Sequence, residues 1–174
     1  MNFQWLTWVR QIQAIAQTGL TYTKDVYDIE RYHALSTLAA EIAAQHADAP
    51  VALIHDLFTA QAGHATPKVD VRAAVFCAEK ILLVRERSDG LWTLPGGWAD
   101  VGESPSLAAV RETAEESGYQ TRAIKLLALY DRDKHDHPPH PFHIYKLIFQ
   151  CELLGGAPTQ SDETDGVDFF AEQQ

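Results

Sequence analysis

The sequence predicts an α/β (α+β) domain with a mixed β-sheet, preceded by a small all-α domain. Through the first 62 residues, apolar side chains recur at intervals of three and four, which is the period of amphipathic helices. After the linker GHATPKVD, the pattern changes to short apolar runs typical of strands, and these runs lie on both sides of one glutamate-rich helix. We therefore expect a helical domain over residues 1–64 and the α/β domain over residues 68–174.

Three helices are predicted in the N-terminal segment. The first is expected to end at Gly19, the second to begin near Asp25, and the third to begin within the run DAP at residues 48–50. The residues predicted on their apolar faces are Trp5, Trp8, Val9, Ile12 and Ile15; Tyr32, Leu35, Ala39 and Ile42; and Val51, Ile54, Leu57 and Phe58. Three short helices make only a marginal core, so we expect this segment to pack on the rest of the chain or on a second copy.

The composition is that of a globular protein with a strong negative charge. The net charge of −10 argues against nucleic-acid binding by general electrostatics, because that mode needs a basic surface. Cys77 and Cys151 lie in strand-like apolar runs and are expected to be buried free thiols in a reducing compartment. No apolar run reaches the roughly 18 residues of a membrane span, and the N-terminus lacks the features of a signal peptide. We therefore expect a cytoplasmic protein.

The strands of the second domain are predicted from their apolar runs. VDVRAAVFCA and KILLVRER should form two strands joined by a short turn near Glu79, and LWTLPGG should form a third, short strand. Beyond the helix, RAIKLLALYDR, FHIYKLIFQCEL and GVDFF should form three more.

The helix of this domain is predicted from the residues at its two ends. Ser104 suits the N-cap and Pro105 suits the first helical position. Gly118 suits the position just past the end, so the helix should cover residues 105–117. At 100° per residue, three glutamates project from one face, and they are Glu112, Glu115 and Glu116. The face expected to pack inward carries Leu107, Val110 and Ala114.

Carboxylates crowded on one rigid face repel one another unless a cation lies among them. Hard divalent cations prefer oxygen ligands, and Mg²⁺ in proteins is bound by a few carboxylates together with phosphates and water. The preceding loop PGGWADVGE could bring backbone carbonyls and Glu103 close to the acidic face, where Arg111 could pair with Glu103. The alternative is a solvated acidic helix face that binds no metal.

The spacing of these residues favours the metal site. Gly97, Glu103 and the run RETAEESGY at residues 111–119 resemble the Nudix box, G-x5-E-x7-R-E-U-x-E-E-x-G-U, where U is a bulky apolar residue. All seven fixed glycine, glutamate and arginine positions match within 23 residues. Thr113 departs from the pattern, which has Ile, Leu or Val there, and this departure concerns packing of the helix and not its charged face. The flanking strands extend the resemblance over about residues 68–170.

The resemblance implies a hydrolase that cleaves a diphosphate by attack of water on phosphorus, with Mg²⁺ or Mn²⁺ ions bound. The metal ligands that it implies are Glu112, Glu115, Glu116, the Gly97 carbonyl and Glu103, the last of which would pair with Arg111 or hold a metal through water. Catalytic roles are implied for the same three helix glutamates. Either Glu115 or Glu116 could be the general base, and so could Glu163, in a loop where several relatives place an acidic residue; otherwise Glu163 is a solvated loop residue.

The helical segment ahead of the box resembles a bacterial subgroup that hydrolyses nucleoside diphosphates linked to a moiety X. The subgroup includes CDP-choline pyrophosphatases and proteins labelled ADP-ribose pyrophosphatases. It implies a homodimer built through the helical segment and a CDP-choline-like substrate, cleaved to a nucleoside monophosphate and X-phosphate. An ADP-ribose pyrophosphatase is the alternative activity, and a non-catalytic nucleotide-sensing module is the alternative from another class.

Substrate contacts are expected from residues outside the box. Trp92 and Leu94 border the site in this fold, where a tryptophan could stack on a base or else belong to the core. The arginines that could contact phosphate or X, or else lie on the surface, are Arg72, Arg85 and Arg87.

Two further segments carry expectations of their own. The run DRDKHDHPPHPFH holds four histidines but is interrupted by prolines and matches no closed zinc site, so we expect a stiff loop between two strands. In a dimer, this loop could reach the diphosphate site and help to choose X through His137. The sequence ends in GVDFFAEQQ, where Nudix domains usually add a further helix. Either the chain is truncated or the N-terminal helices cover this part of the sheet.

Overall fold

The computed structural model describes residues 3–47 and 49–172, so Asp48, within the predicted start of the third helix, lies outside the described residues. The chain divides into two compact units. One comprises the described residues up to Pro67 together with His135–His143, and the other comprises Lys68–Lys134 and the described residues from Ile144 onwards. Among the described residues, no helix is both long enough and apolar enough to cross a membrane.

Three helices make up most of the first unit: α1 (Gln4–Tyr22), α2 (Val26–His46) and α3 (Val51–Thr59). Helix α2 begins where the sequence predicts, because the Asp25 carboxylate accepts hydrogen bonds from the backbone N–H groups of Tyr27 and Asp28. Its buried residues, and those of α1 and α3, are mostly small or aliphatic: Leu6, Val9, Ala16, Ser36, Ala39, Ala40, Ala43, Ile54 and Phe58. Two residues of the predicted apolar face of α1, Trp8 and Ile15, remain 53% and 57% exposed.

The prediction that the first helix ends at Gly19 is wrong. Helix α1 continues through this residue to Tyr22. A β-carbon at Gly19 would overlap the ring of Tyr32 in α2, so a glycine is needed for the ring to lie against the backbone of α1. The glycine therefore serves the packing of two helices, which the local sequence does not distinguish from a helix stop.

A six-stranded mixed sheet is the framework of the second unit. Its strands are β1 (Lys68–Cys77), β2 (Lys80–Glu86), β3 (Trp92–Thr93), β4 (Tyr119–Asp131), β5 (Ile144–Gly156) and β6 (Thr164–Ala171). A short 3₁₀ helix (Arg132–Lys134) follows β4. The strand order is β3-β2-β1-β5-β4, and β6 pairs with β2. Strands β1 and β5 run parallel and the other pairs run antiparallel, which confirms the predicted mixed sheet.

The turn between β1 and β2 is the one predicted near Glu79. Ala78 and Glu79 both have positive φ, 48° and 63°, as a tight two-residue hairpin requires. Cys77 precedes this turn and is exposed, whereas Cys151 on β5 is buried. The prediction of two buried thiols is therefore wrong for Cys77, because the strand-like run continues to the exposed end of the hairpin.

Helix α4 (Pro105–Ser117) has the predicted ends but a different buried face. The Ser104 hydroxyl accepts a hydrogen bond from the Leu107 N–H, and Gly118 follows the helix with φ 76°. The buried residues are Ala108, Ala109, Thr113, Glu116 and Ser117. The expectation that Leu107 and Ala114 pack inward is wrong, since Leu107 is 60% exposed and Ala114 is exposed, while Val110 is half-buried. Small side chains let the helix approach β1 closely, where Val71, Ala73 and Val75 complete the cluster.

Candidate active site

A cleft of about 670 Å³ in the second unit collects residues from helix α4 and its preceding loop, from β1 and β2, and from the loop before β6. The predicted site residues that line it are Arg72, Arg87, Gly97, Arg111, Glu112, Glu115, Glu116 and Glu163. The structure therefore brings most of the residues singled out in the sequence to one place.

The loop ahead of helix α4 is fastened to the backbone of β1. The N–H of Val71 donates to the Gly97 carbonyl at 2.8 Å, and the N–H of Ala73 donates to the Pro95 carbonyl at 2.9 Å. These two bonds hold the loop alongside β1 in the manner of a short added strand. The position of Gly97 is thus set by a strand of the sheet.

Gly96 lies at the closest point of this loop to the sheet. A β-carbon there would overlap the carbonyl oxygen of Val71, so any other residue would force the loop away from β1. The Gly96 N–H donates to the carboxylate of Glu116 at 2.8 Å. The loop thereby supplies a backbone donor to a carboxylate on the inner side of α4.

The three helix glutamates differ strongly in burial. The side chain of Glu115 is 59% exposed and that of Glu112 is 15% exposed, while Glu116 as a residue is 7% exposed. Burial raises the pKa of Glu112, and the hydrogen bond from Arg111 opposes this effect. Burial also raises the pKa of Glu116 to about 7, although the Gly96 hydrogen bond favours the charged form.

Arg111 lies among the carboxylates of the box. Its Nη1 donates to Glu112 and Glu115, both at 2.9 Å. Its Nε and Nη2 donate to the Glu103 carboxylate at 3.1 Å and 3.0 Å. The hydrogen bond to Glu103, followed by those to the two helix glutamates, raises the pKa of Arg111 far above its ordinary value. One guanidinium therefore holds the loop glutamate against the helix and partly neutralises its neighbours.

The oxygen atoms gathered here could serve as ligands of a hard divalent cation. The residues that could hold it are Glu103, Glu112, Glu115 and Glu116, together with the Gly97 carbonyl, which accepts one hydrogen bond and retains a lone pair. All of these ligand atoms are oxygens, the type that Mg²⁺ and Mn²⁺ prefer. Repulsion from Glu112 adds to the raised pKa of Glu116, and a cation bound among the carboxylates would favour the charged form of both.

The loop before β6 is held against the same helix. The Ser161 hydroxyl accepts hydrogen bonds from the N–H groups of Glu163 at 3.1 Å and Thr164 at 3.0 Å. The buried Thr164 hydroxyl donates to the backbone carbonyl of Glu116 at 2.6 Å. Glu163 is exposed in the cleft, and within residues 3–47 and 49–172 its carboxylate has no hydrogen-bond or ion-pair partner.

A cluster of charged side chains lies outside the box, on β1 and β5. Arg72 donates its Nε and Nη2 to the two carboxylate oxygens of Asp70, each at 3.1 Å, and its Nη1 to the Leu94 carbonyl at 3.0 Å. Lys146 donates to the same Asp70 carboxylate at 3.1 Å. Burial lowers the pKa of Lys146, and the nearby positive charge of Arg72 adds to this.

Four of the predicted substrate contacts do not line the described cleft: Trp92, Leu94, Arg85 and His137. The Arg85 guanidinium pairs with Asp165 at 2.7 Å and lies 5.8 Å from the centre of the Trp92 ring. The ring of Phe170 meets the Trp92 ring edge-on, with the ring centres 4.7 Å apart. His137 is exposed and belongs to the first unit.

The histidine loop is tied to helix α1 within that unit. Arg10 donates hydrogen bonds from Nε, at 3.1 Å, and from Nη2 to the carbonyl of His140. Two bonds from one arginine to one carbonyl give the loop a fixed point of attachment at this residue.

Comparison with known proteins decides the family. A model of the NUDIX domain matches residues 66–174. The chain belongs to the Nudix family. A second model, described as a UDP-X-like, N-terminal oligomerisation domain, matches residues 3–58. As a Nudix hydrolase the chain is a pyrophosphohydrolase, and Nudix hydrolases generally use divalent metal ions.

Similar proteins cover both units. A Bacillus subtilis (strain 168) protein named "Putative ADP-ribose pyrophosphatase YjhB" is 46% identical over 98% of this chain and 82% of its own length. A solved structure described as a UDP-X diphosphatase is 34% identical, with a TM-score of 0.60, and the match covers 98% of this chain and 83% of that one. A Streptococcus suis 89-1591 structure described as an ADP-ribose pyrophosphatase is 43% identical, with a TM-score of 0.55, over 63% of this chain and 77% of that one.

Several cleft residues of this Nudix domain were not predicted from the sequence: Asp70, Glu86, Ser88, Gly96, Trp98, Asp100 and Asp162. Asp70 interrupts the apolar run VDVRAAV, and a charged residue within a buried strand is a usable indication of a site. Trp98 follows the box glycine directly and is 48% exposed. The others lie in loops or at strand ends, where polar residues are ordinary and indicate nothing by themselves.

Replacing Glu116 with Gln should stabilise the metal-free protein at alkaline pH. The pKa of this carboxyl rises from 4.5 to about 7 on folding, so the unfolded chain loses its proton first and wild-type stability falls as pH rises between these values. Because Gln is neutral, the variant should be more stable than the wild type at pH 8 by on the order of 1–3 kcal/mol. The gain should approach zero near pH 4.5. Denaturant unfolding in EDTA measures it.

The matched control is Glu115→Gln, which neutralises the neighbouring but exposed carboxylate. This variant should not reproduce the gain in stability at pH 8 that is expected for Glu116→Gln. A Glu116→Gln effect that is equal at both pH values would contradict the assignment of the raised pKa to Glu116.

Proposed function

We propose that this enzyme hydrolyses the diphosphate bond of a nucleoside diphosphate linked to a moiety X, giving a nucleoside monophosphate and X-phosphate. The carboxylate arc of Glu112, Glu115 and Glu116 in the cleft, with Glu103 held beside it by Arg111, carries this proposal. The resemblance of the sequence favours a CDP-choline-like substrate. The names of the similar proteins favour ADP-ribose and UDP-linked compounds as second candidates.

Mg²⁺ or Mn²⁺ held by the box carboxylates would offset the negative charge of the diphosphate and lower the pKa of a bound water. The other roles in the site belong to groups of the protein itself. Arg111 holds the loop residue Glu103 beside the helix, and the Gly96 N–H holds the carboxylate of Glu116 in place. Arg72 and Arg87 line the cleft and can attract phosphoryl oxygens. The roles of Trp92, Leu94, Arg85 and His137 in recognising the base or X, and the cytoplasmic location, stay predictions.

Glu163 is our choice of general base among the three candidates. Glu115 is bound to Arg111, and Glu116 is buried and bound to Gly96. Glu163 is exposed in the cleft, and its negative charge contributes to the raised pKa of Glu112 and Glu116. A carboxylate that is exposed, close to the acidic helix and held on an ordered loop can accept a proton from water.

The test of the function is a screen of nucleoside diphosphate-linked compounds with Mg²⁺ and with Mn²⁺. CDP-choline, ADP-ribose and UDP-linked sugars should be offered in parallel, and released nucleoside monophosphate measured. At least one should be hydrolysed, and Glu116→Gln should reduce its turnover by several orders of magnitude while the variant remains folded. Failure to hydrolyse any of the three, or near-normal metal-dependent turnover by Glu116→Gln, would overturn the proposal.

The assignment of the base is tested by Glu163→Gln against Asp162→Asn. Both changes remove one negative charge from neighbouring, exposed residues that line the cleft. The first should reduce kcat about 10²–10⁴-fold, the usual contribution of a positioned base. The second should alter kcat only slightly. Equal losses in the two variants would show that overall charge, not proton transfer, explains the effect.

We propose further that the domain boundary lies between residues 64 and 68 and that the N-terminal domain joins two chains into a homodimer. The matching oligomerisation family supports this, as do the large apolar residues that remain exposed on its helices, among them Trp8, Ile15, Val26, Leu38 and Leu53. Light scattering should give twice the mass of one chain, and Trp8→Glu with Ile15→Glu should reduce it. A monomeric wild-type protein at micromolar concentration would rule out the dimer.

A further inference from the structure

The cluster of Asp70, Arg72 and Lys146 is not explained by the box. Asp70 and Lys146 face each other in the register of the parallel strands β1 and β5. All three side chains are largely buried, with exposures of 9%, 14% and 12%. The cluster holds two cations and one anion, and Glu86 forms a longer ion pair with Arg72, at 3.8 Å.

Arg72 uses only part of its hydrogen-bonding capacity. A guanidinium has five N–H donors. Two are bound to the Asp70 carboxylate and one to the Leu94 carbonyl. Glu86 lies 3.8 Å from Nη1, beyond hydrogen-bond distance. Within the described part of the chain, two of the five N–H groups therefore have no hydrogen-bond acceptor, and the side chain lines the cleft.

Because the side chain lines the cleft, these N–H groups are available to an acceptor that a ligand brings there. An anionic acceptor suits them best, because a guanidinium matches the oxygens of carboxylate and phosphate. Arg72 is also within electrostatic reach of Glu116. An anion at Arg72 would consequently lie beside the carboxylates of the box.

Lys146 explains why Asp70 does not cancel the charge of Arg72. A carboxylate paired with one arginine forms a neutral pair that attracts anions weakly. Here the same carboxylate accepts from Lys146 as well, at 3.1 Å. Asp70 can thus fix the orientation of the guanidinium, while Lys146 offsets the negative charge of Asp70.

We propose that Arg72 is an oxyanion-binding arm for a phosphoryl oxygen of the substrate diphosphate, and that Asp70 and Lys146 are the residues that position and charge it. This inference rests on the proposed function, because it takes the diphosphate as the anion. It assigns Arg72 to the diphosphate and not to X, and it gives Lys146 a role that acts through Arg72.

Binding of inorganic pyrophosphate to the full-length protein in EDTA tests this without metal and without turnover. Isothermal titration should show that Arg72→Gln raises Kd about tenfold or more and Lys146→Met about three- to tenfold. Arg72→Lys keeps the charge but loses the fork to Asp70, so its Kd should also rise. Arg122→Gln is the control, since Arg122 forms an exposed ion pair with Glu152 on β4 and β5, and its Kd should equal that of the wild type.

The double variant Arg72→Gln with Lys146→Met separates positioning from general stabilisation. If Lys146 acts through Arg72, the double variant should bind pyrophosphate as Arg72→Gln does, within roughly twofold. Independent, multiplicative losses would overturn the positioning role. Equal Kd values for the wild type and Arg72→Gln, or no binding by the wild type, would overturn the subsite.

The two proposals fail in different ways. If the wild type binds pyrophosphate through Arg72 but hydrolyses none of the screened compounds, the subsite stands and the proposed substrate class is wrong. If it hydrolyses one of them while Arg72→Gln leaves both pyrophosphate binding and KM unchanged, the substrate class stands and the subsite is wrong.

Discussion

The burial of Glu116 is the constraint on which the rest of the site depends. Its carboxylate accepts from the Gly96 N–H, and its backbone carbonyl accepts from the Thr164 hydroxyl. One residue of α4 thus holds the loop that precedes the helix and the loop that precedes β6. Taking a carboxylate out of water costs free energy that one backbone donor offsets only in part. Burial of this carboxylate therefore lowers the stability of the fold, but it provides a negative group that a cation can bind.

Carboxylates and arginines lie in different parts of the cleft, which allows an acidic protein to bind an anionic substrate. The helix contributes three carboxylates, and Arg111 pairs with two of them, Glu112 and Glu115, and with Glu103 in the loop. The arginines that could meet phosphate, Arg72 and Arg87, come from β1 and from the chain just after β2. The net charge of −10 over the chain opposes long-range attraction of a diphosphate. Local contacts and bound cations must overcome this repulsion.

The parts of the structure that the sequence predicted are those set by local rules. Caps, turn residues and the fixed spacing of the box depend on neighbours in the chain, so α4, its ends and the convergence of Glu103, Arg111 and the helix glutamates could be anticipated. The errors concern contacts between distant segments. Gly19 was misjudged because its partner, Tyr32, lies on another helix. The contact between Asp70 and Lys146 is not visible in the sequence, because Lys146 lies on β5, 76 residues further along the chain.

The inward face of α4 was misjudged for a related reason, and it also explains why Thr113 is acceptable where the box pattern has a bulky apolar residue. The helix approaches β1 through Ala108 and Ala109, so the space beneath it admits small side chains and excludes Leu107. Thr113 is fully buried there, and its hydroxyl donates to the Ala109 carbonyl at 2.7 Å within the same helix. The polar atom is therefore satisfied without a partner in the sheet, while the methyl group packs as a valine would. At residue 113, the short distance between helix and sheet limits the size of the side chain. The same short distance brings Glu116 within reach of Gly96.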